Sequence, residues 1–239
     1  MITEGKIRLY KVHKIVEVPD KLDTYIYVNA LSWFKNNVLT LIDTNTETIQ
    51  IRFYELSPYY LKDEDGCLYE NIWQSCKIYP YVTDQNQIIN GKVIWNHKAE
   101  RHAESDGRIH PEYWTWRQKL RENPYPVRYP NSYEGKKTCL AFITDDSKVL
   151  TYIQARKMFY VNIYARLIAK TSAFIELKKL IDSGINLQIA DIDVPNVKNG
   201  FEPTPDLYFK YINDPGMSFG HVWTLAAMLL DFDLDKLCL

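Results

Sequence analysis

Residues Thr48 to Glu55 have the sequence TIQIRFYE, in which apolar side chains at 49, 51 and 53 alternate with polar ones. A period of two residues predicts a β-strand with one face against a core. Similar signs predict strands at 7–18, 25–28 and 38–42. Together these segments predict a small, mainly antiparallel sheet in the N-terminal part of the chain.

Helical patterns dominate the rest of the chain. Apolar residues recur at helical spacing in 68–78 and more strongly in 147–181, where Gly184 is a typical residue to end the helix. A strand at 187–192 and a helix at 221–230 follow. This order lacks the strict strand–helix alternation of a doubly wound fold. The sequence therefore predicts an α+β fold, in a single domain that covers residues 1–239.

Composition excludes several classes of protein. The chain has 239 residues and a formal net charge of −1, so a nucleic-acid-binding surface of high charge is not expected. Its four cysteines lack C-x-x-C spacing and are few for this length, so neither a zinc site nor a disulfide scaffold is expected. No apolar run reaches the length of a membrane span, and residues 1–10 do not resemble a signal peptide. The phosphate-binding glycine motifs are absent. We expect a cytoplasmic protein with no metal, no cofactor and no membrane association.

One polar constellation stands out in the predicted helix 68–78. Glu70, Gln74 and Lys77 are spaced i, i+4, i+7, which places a carboxylate, an amide and an ammonium group on one helix face beside Trp73. Such a face could bind a ribose and its leaving group. The alternative is an ordinary solvent-exposed stripe stabilised by pairs within the helix.

The segment YENIWQSCKIYP, residues 69–80, resembles the helix motif of the NADAR superfamily, a set of N-glycosidase-like domains. The Glu of that motif is catalytic, so the resemblance implies a catalytic Glu70 with Gln74 and Lys77 in supporting positions. Asn71 stands where the family motif has His.

Two later stretches resemble the same superfamily. In 152–193, Tyr152 takes the position of an active-site Trp, Arg156 replaces a Lys, and Asp191 or Asp193 is the second acidic residue. Val194 and Pro195 follow where the family has Trp-Gly. Residues 216–230, which include His221, are similar to the family's Gly-rich turn and terminal helix. Residues 84–135 have no counterpart and are predicted to be a family-specific insertion.

That insertion carries a basic and aromatic cluster that is suited to phosphate and base. Its alternative is a structural loop held by large side chains. The cluster comprises Tyr113, Trp114, Trp116, Arg117, Lys119, Arg121, Tyr125, Arg128 and Tyr129.

The resemblance implies several helices around a NADAR-like pocket and a hydrolase that cleaves an N-glycosidic bond. The substrate would be a small nucleotide-like or ADP-ribose-like molecule. The implied catalytic residues are Glu70, Asp193 and Tyr152. The implied substrate-binding residues are Trp73, Gln74, Lys77, Trp114, Arg117, Arg128, Arg156, Asp191 and His221.

Two other functions remain open at this point. One is a non-catalytic module that sequesters a nucleotide, which the departures at Tyr152 and Val194-Pro195 favour. The other is a nucleic-acid base-modifying protein that holds a strand with the cluster at 113–129. The near-neutral net charge disfavours nucleic acid as the partner.

Overall fold

The computed structural model describes residues 4–13, 24–30, 38–42, 48–78, 82–83, 87–89, 92–94, 99–100, 102, 108–127, 139, 141–217 and 219–239. Its strands are β1 Ile7–Lys11, β2 Tyr25–Asn29, β3 Val38–Ile42, β4 Thr48–Arg52, β5 Lys77–Ile78, β6 Val82–Thr83, β7 Gln87–Ile89, β8 Lys92–Ile94, β9 Ala99–Glu100, β10 Ala141–Ile143, β11 Val149–Leu150 and β12 Asn186–Asp191.

Helices separate and follow these strands. They are α1 Tyr69–Ser75, α2 Pro111–Arg121, α3 Tyr152–Ala155, α4 Asn162–Ile168, α5 Ser172–Asp182, α6 Pro205–Asn213, α7 His221–Leu229 and α8 Leu234–Leu237, with a 3-10 turn at Phe53–Leu56 and a π-helical stretch at Arg156–Val161. The predicted α+β class is confirmed.

Residue contacts divide the chain into two compact units. Unit 1 combines Met1–Leu61 with Val161–Leu239, and unit 2 is Lys62–Tyr160. One domain over 1–239 stays a prediction. Among the described residues, no helix has both the length and the apolar composition needed to cross a membrane.

The main sheet of unit 1 is parallel. Strand β12 lies between β1 and β2 and runs parallel to both, with Ile189 opposite Leu9 on one side and Val28 on the other. The predicted antiparallel arrangement is correct for β3 and β4 but wrong for β1 and β2. The reason is that β12 is buried at every residue from Leu187 to Asp191, which is typical of a central parallel strand that needs a neighbour on each edge.

Two helices cover this sheet. Helix α5 packs on β4 and β12 and ends in a Schellman motif, in which Ile185 N–H donates to Leu180 and Gly184, at φ 90°, donates to Ile181. This confirms the predicted end at Gly184. Helix α7 buries nearly all of its residues, as expected for a helix that is apolar on every side.

Unit 2 is built on α1 and α2, which pack against each other. The predicted helix 68–78 is wrong at its C-terminal end, because α1 stops at Ser75 and Lys77–Ile78 form β5, paired with β10. The backbone of this short strand is therefore committed to the sheet. Helix α2 starts with Pro111 at its first position and supplies Tyr113, Trp116 and Leu120 to the core of the unit. The segment predicted as an insertion thus contributes the helix that packs on α1.

Candidate active site

Helix α1 is buried along its whole length. Glu70 is 6% exposed and Gln74 is 7% exposed, although both are polar. The neighbouring Trp73 packs with Phe142, Leu150 and Ala155 in an apolar cluster, which draws this helix into the core of unit 2. The alternative of a solvent-exposed stripe is therefore wrong for Glu70 and Gln74.

A chain of hydrogen bonds joins the three residues that the helical spacing singled out. Lys77 Nζ donates to Gln74 Oε1 at 2.8 Å, and Gln74 Nε2 donates to Glu70 Oε1 at 2.9 Å. Lys77 lies on β5, not on the helix, and its ammonium group also sits 5.6 Å from the centre of the Trp73 ring. A cation is thus linked to a buried carboxylate through one amide.

Aromatic rings line the same part of unit 2. Trp73 stacks on Phe142 with 4.8 Å between ring centres and meets Tyr160 edge-on at 4.9 Å. Phe142 in turn lies 5.7 Å from Tyr152, whose side chain is partly open to solvent. Trp73 and Phe142 are buried, so the exposed Tyr152 ring is the face that suits a planar base or a sugar.

Arg156 brings a second cation to this aromatic surface. It follows α3 at the start of the π-helical stretch, four residues after Tyr152, so both side chains lie on one side of the helix. Arg156 Nη2 donates to the Tyr152 hydroxyl at 2.6 Å, and its guanidinium carbon is 4.4 Å from the ring centre. The side chain is 1% exposed. Unit 2 therefore gathers Glu70, Trp73, Gln74, Lys77, Tyr152 and Arg156, which we call the Glu70 cluster.

Asn71 has a role that the sequence analysis misses. Its Nδ2 donates to the carbonyl oxygens of Asn123 at 2.9 Å and Tyr125 at 3.0 Å, and its Oδ1 accepts from Val127 N–H at 2.7 Å. The segment 123–127 contains two prolines and needs outside partners for its backbone. The sequence gives no signal for this role, because the partners of Asn71 lie more than 50 residues further along the chain.

The predicted phosphate and base cluster divides in the structure. Trp114 is partly exposed and lies under the Arg117 guanidinium. Arg117 is buried, and it bonds Asp145 and the Thr144 carbonyl, while Arg121 bonds the same Asp145 oxygen. The guanidinium of Arg117 is therefore engaged inside the protein, and its binding to substrate stays a prediction. Arg128 lies outside the described residues.

The remaining predicted residues meet in unit 1, at the carboxyl end of β12. Asp191 Oδ1 accepts from the backbone N–H groups of Ile192 at 2.6 Å and Asp193 at 3.2 Å. His221 Nε2 lies 3.0 Å from the Ala30 carbonyl oxygen, and its Nδ1 lies 3.8 Å from Asp191 Oδ2. Burial raises the pKa of Asp191.

Gly220 makes room for this arrangement. A Cβ atom at position 220 would lie 2.4 Å from Asp191 Oδ2 and 2.9 Å from the Asp193 Cβ. Any side chain there would displace the carboxylate from the start of α7. The glycine is thus required by the close approach.

The two carboxylates of the predicted catalytic pair belong to different units. Glu70 is in unit 2, whereas Asp193 is an exposed residue of unit 1. Within the described part of the chain, no group of three or more His, Cys, Asp or Glu side chains is arranged to hold a metal ion. Comparison of the chain with protein-family models, curated proteins and solved structures finds no match.

Proposed function

We propose that the Glu70 cluster is the active site of an N-glycosidase-type hydrolase that acts on an ADP-ribose-like or nucleotide-like N-glycoside. The observation that supports this proposal is the buried Glu70, hydrogen-bonded through Gln74 to Lys77 beside an aromatic surface. Burying a carboxylate costs free energy, so a fold that keeps one in a hydrogen-bonded chain with a cation favours a chemical role for it.

The reaction breaks the bond between the anomeric carbon and the base nitrogen. The base leaves with the electron pair, and positive charge builds on the sugar, as in O-glycoside hydrolysis. Water then adds its oxygen to the anomeric carbon, and one of its protons ends on the base. Glu70 stabilises the positive charge on the sugar or accepts a proton from the attacking water.

The surroundings of Glu70 suit the two ends of such a substrate. Tyr152 offers a partly exposed ring on which a base can stack. Arg156, which donates to the Tyr152 hydroxyl, places a cationic group beside this ring. We propose no cofactor, because the reaction needs only water.

The cysteines support a cytoplasmic location for this activity. The four described cysteines, Cys67, Cys76, Cys139 and Cys238, form no disulfide bond in the structure. Proteins of oxidising compartments tend to pair such residues in disulfides, so we propose a reducing compartment.

The test is release of free base, measured by mass spectrometry, from a panel of nucleotides, NAD, ADP-ribose and ADP-ribosylated nucleosides. Glu70→Gln should lower turnover of the cleaved compound by about 10²–10⁴-fold. Glu122→Gln, at an exposed position after α2, is the matched control and should retain activity. Near wild-type turnover in Glu70→Gln would reject the proposal. A ligand that binds without being cleaved would favour the sequestering module instead.

A further inference from the structure

We propose that Gln74 is a positioning residue for Glu70, and that Lys77 acts on Glu70 through Gln74 and not on the leaving base. This inference rests on the proposed function of the Glu70 cluster. It changes the role of Lys77 from a donor to the substrate into a donor that fixes a neighbouring side chain.

The chemistry of Lys77 fixes which way the Gln74 amide faces. An ammonium group donates hydrogen bonds and accepts none, so the atom of Gln74 that lies 2.8 Å from Lys77 Nζ must be the carbonyl oxygen Oε1. The amide nitrogen then has to face Glu70, where it lies 2.9 Å from Oε1. Without Lys77, the amide could rotate and present its oxygen to the carboxylate.

The orientation of Gln74 determines how Glu70 can take part in the reaction. Because the amide nitrogen donates, Glu70 Oε1 must accept, and this hydrogen bond fixes the orientation of the Glu70 carboxyl group. With both side chains at most 7% exposed, little water competes for the bond. Glu70 is thus held to face positive charge on the sugar or to accept a proton from water.

Lys77 is well placed to act as the fixed end of this chain. It lies on β5, where it pairs with Phe142 of β10, while Glu70 and Gln74 lie on α1. The hydrogen bond from Lys77 therefore ties the amide of a helix residue to the sheet. Phe142 is the same residue that stacks on Trp73, so the sheet sets both the carboxylate and the aromatic surface.

A double-mutant cycle on turnover tests whether Lys77 acts through Gln74. Gln74→Glu keeps the size of the side chain but removes the donor, and Lys77→Met keeps the length but removes the charge. Each change should lower kcat by roughly 10–100-fold, the loss expected for a hydrogen bond to a charged group, with little change in KM. Lys77→Arg should restore most of the rate, because it restores a cationic donor.

The decisive comparison is between two backgrounds. In Gln74→Leu, the further change Lys77→Met should lower kcat by less than about twofold, because the path from Lys77 to Glu70 is already broken. An equal loss of kcat from Lys77→Met in the wild type and in Gln74→Leu would overturn the inference. Lys77 would then act directly on the substrate.

A second readout does not depend on activity. In an NMR spectrum of the ¹⁵N-labelled protein, the side-chain amide protons of Gln74 should exchange slowly, and their signals should shift in both Glu70→Ala and Lys77→Met. The exposed Lys148→Met is the control and should leave them in place. If these shifts occur but no N-glycoside is cleaved, the proposed function fails and the positioning chain stands. If base is released but the Gln74 amide signals do not shift in Lys77→Met, the positioning role is rejected and the proposed function is retained.

Discussion

Asp191 Oδ2 lies 3.8 Å from Nδ1 of His221, and both side chains are buried. The Ala30 carbonyl oxygen can only accept a hydrogen bond, so Nε2 of His221 carries a hydrogen and Nδ1 is the nitrogen that faces the carboxyl group. Burial raises the pKa of Asp191, because the ionised form loses its contact with water.

The protonation of Asp191 predicts a pH dependence of stability. Because its pKa is raised in the folded protein, the folded state binds the proton more tightly than the unfolded chain does. The free energy of unfolding then falls as the pH rises from about 3.9, the ordinary pKa of an Asp side chain, to the raised pKa of Asp191 in the folded protein. The slope is at most about 1.4 kcal/mol per pH unit. Asp191→Asn mimics the neutral acid and should be free of this loss.

Urea unfolding of both proteins at stepped pH measures the difference. The stability gained by Asp191→Asn should grow with pH across the window. Asp235→Asn, at an exposed position of unit 1, is the control and should follow the wild-type curve. A pH-independent difference between Asp191→Asn and wild type would show that Asp191 is ionised throughout.

Replacement of Gly220 should destabilise unit 1. In Gly220→Ala the new Cβ would meet Asp191 Oδ2 at 2.4 Å, so the carboxylate or the start of α7 must move. Overpacking of this kind costs about 1–3 kcal/mol. Gly216→Ala is the matched change, since its Cβ would meet only Asp214 Oδ1, at 3.3 Å. Equal unfolding free energies for the two variants would contradict the close approach described for Gly220.

The contacts of Asn71 predict that its loss loosens the segment 123–127. Asn71→Ala removes three hydrogen bonds from a fully buried position and should cost about 3 kcal/mol, since each lost partner leaves a backbone group unsatisfied. Chemical denaturation and limited proteolysis within 123–127 measure the effect. Gln118→Ala, on the exposed side of α2, should change stability by less than about 0.5 kcal/mol. Unchanged protection of 123–127 in Asn71→Ala would be evidence against this role.

Local patterns in the sequence predict elements but not their partners. The alternation in 7–18 and 25–28 correctly predicts strands at β1 and β2, although β1 ends at Lys11 and residues 14–18 lie outside the described residues. The alternation carries no information on a neighbour that lies far along the chain in β12. The end of α1 is a similar case. Apolar spacing continues past Ser75, but pairing with β10 takes Lys77 and Ile78 into a strand.

In the candidate site, too, contacts within a local pattern are predicted and contacts between distant segments are not. The spacing of Glu70, Gln74 and Lys77 predicts that their side chains meet, and they do, although through a helix end and a strand. Phe142 and Tyr160 are missed because they reach Trp73 only after β5 and β10 pair and α3 packs beside them. The ion pair between Arg117 and Asp145 is missed for the same reason.

Cleavage in H₂¹⁸O tests the central claim most directly. The compound of the panel that yields free base should give a sugar product with one ¹⁸O at the anomeric carbon and none in the base, and Glu70→Gln should form it about 10²–10⁴-fold more slowly. Release of no base from any member of the panel, or a sugar product without ¹⁸O, would contradict an N-glycosidase built on Glu70.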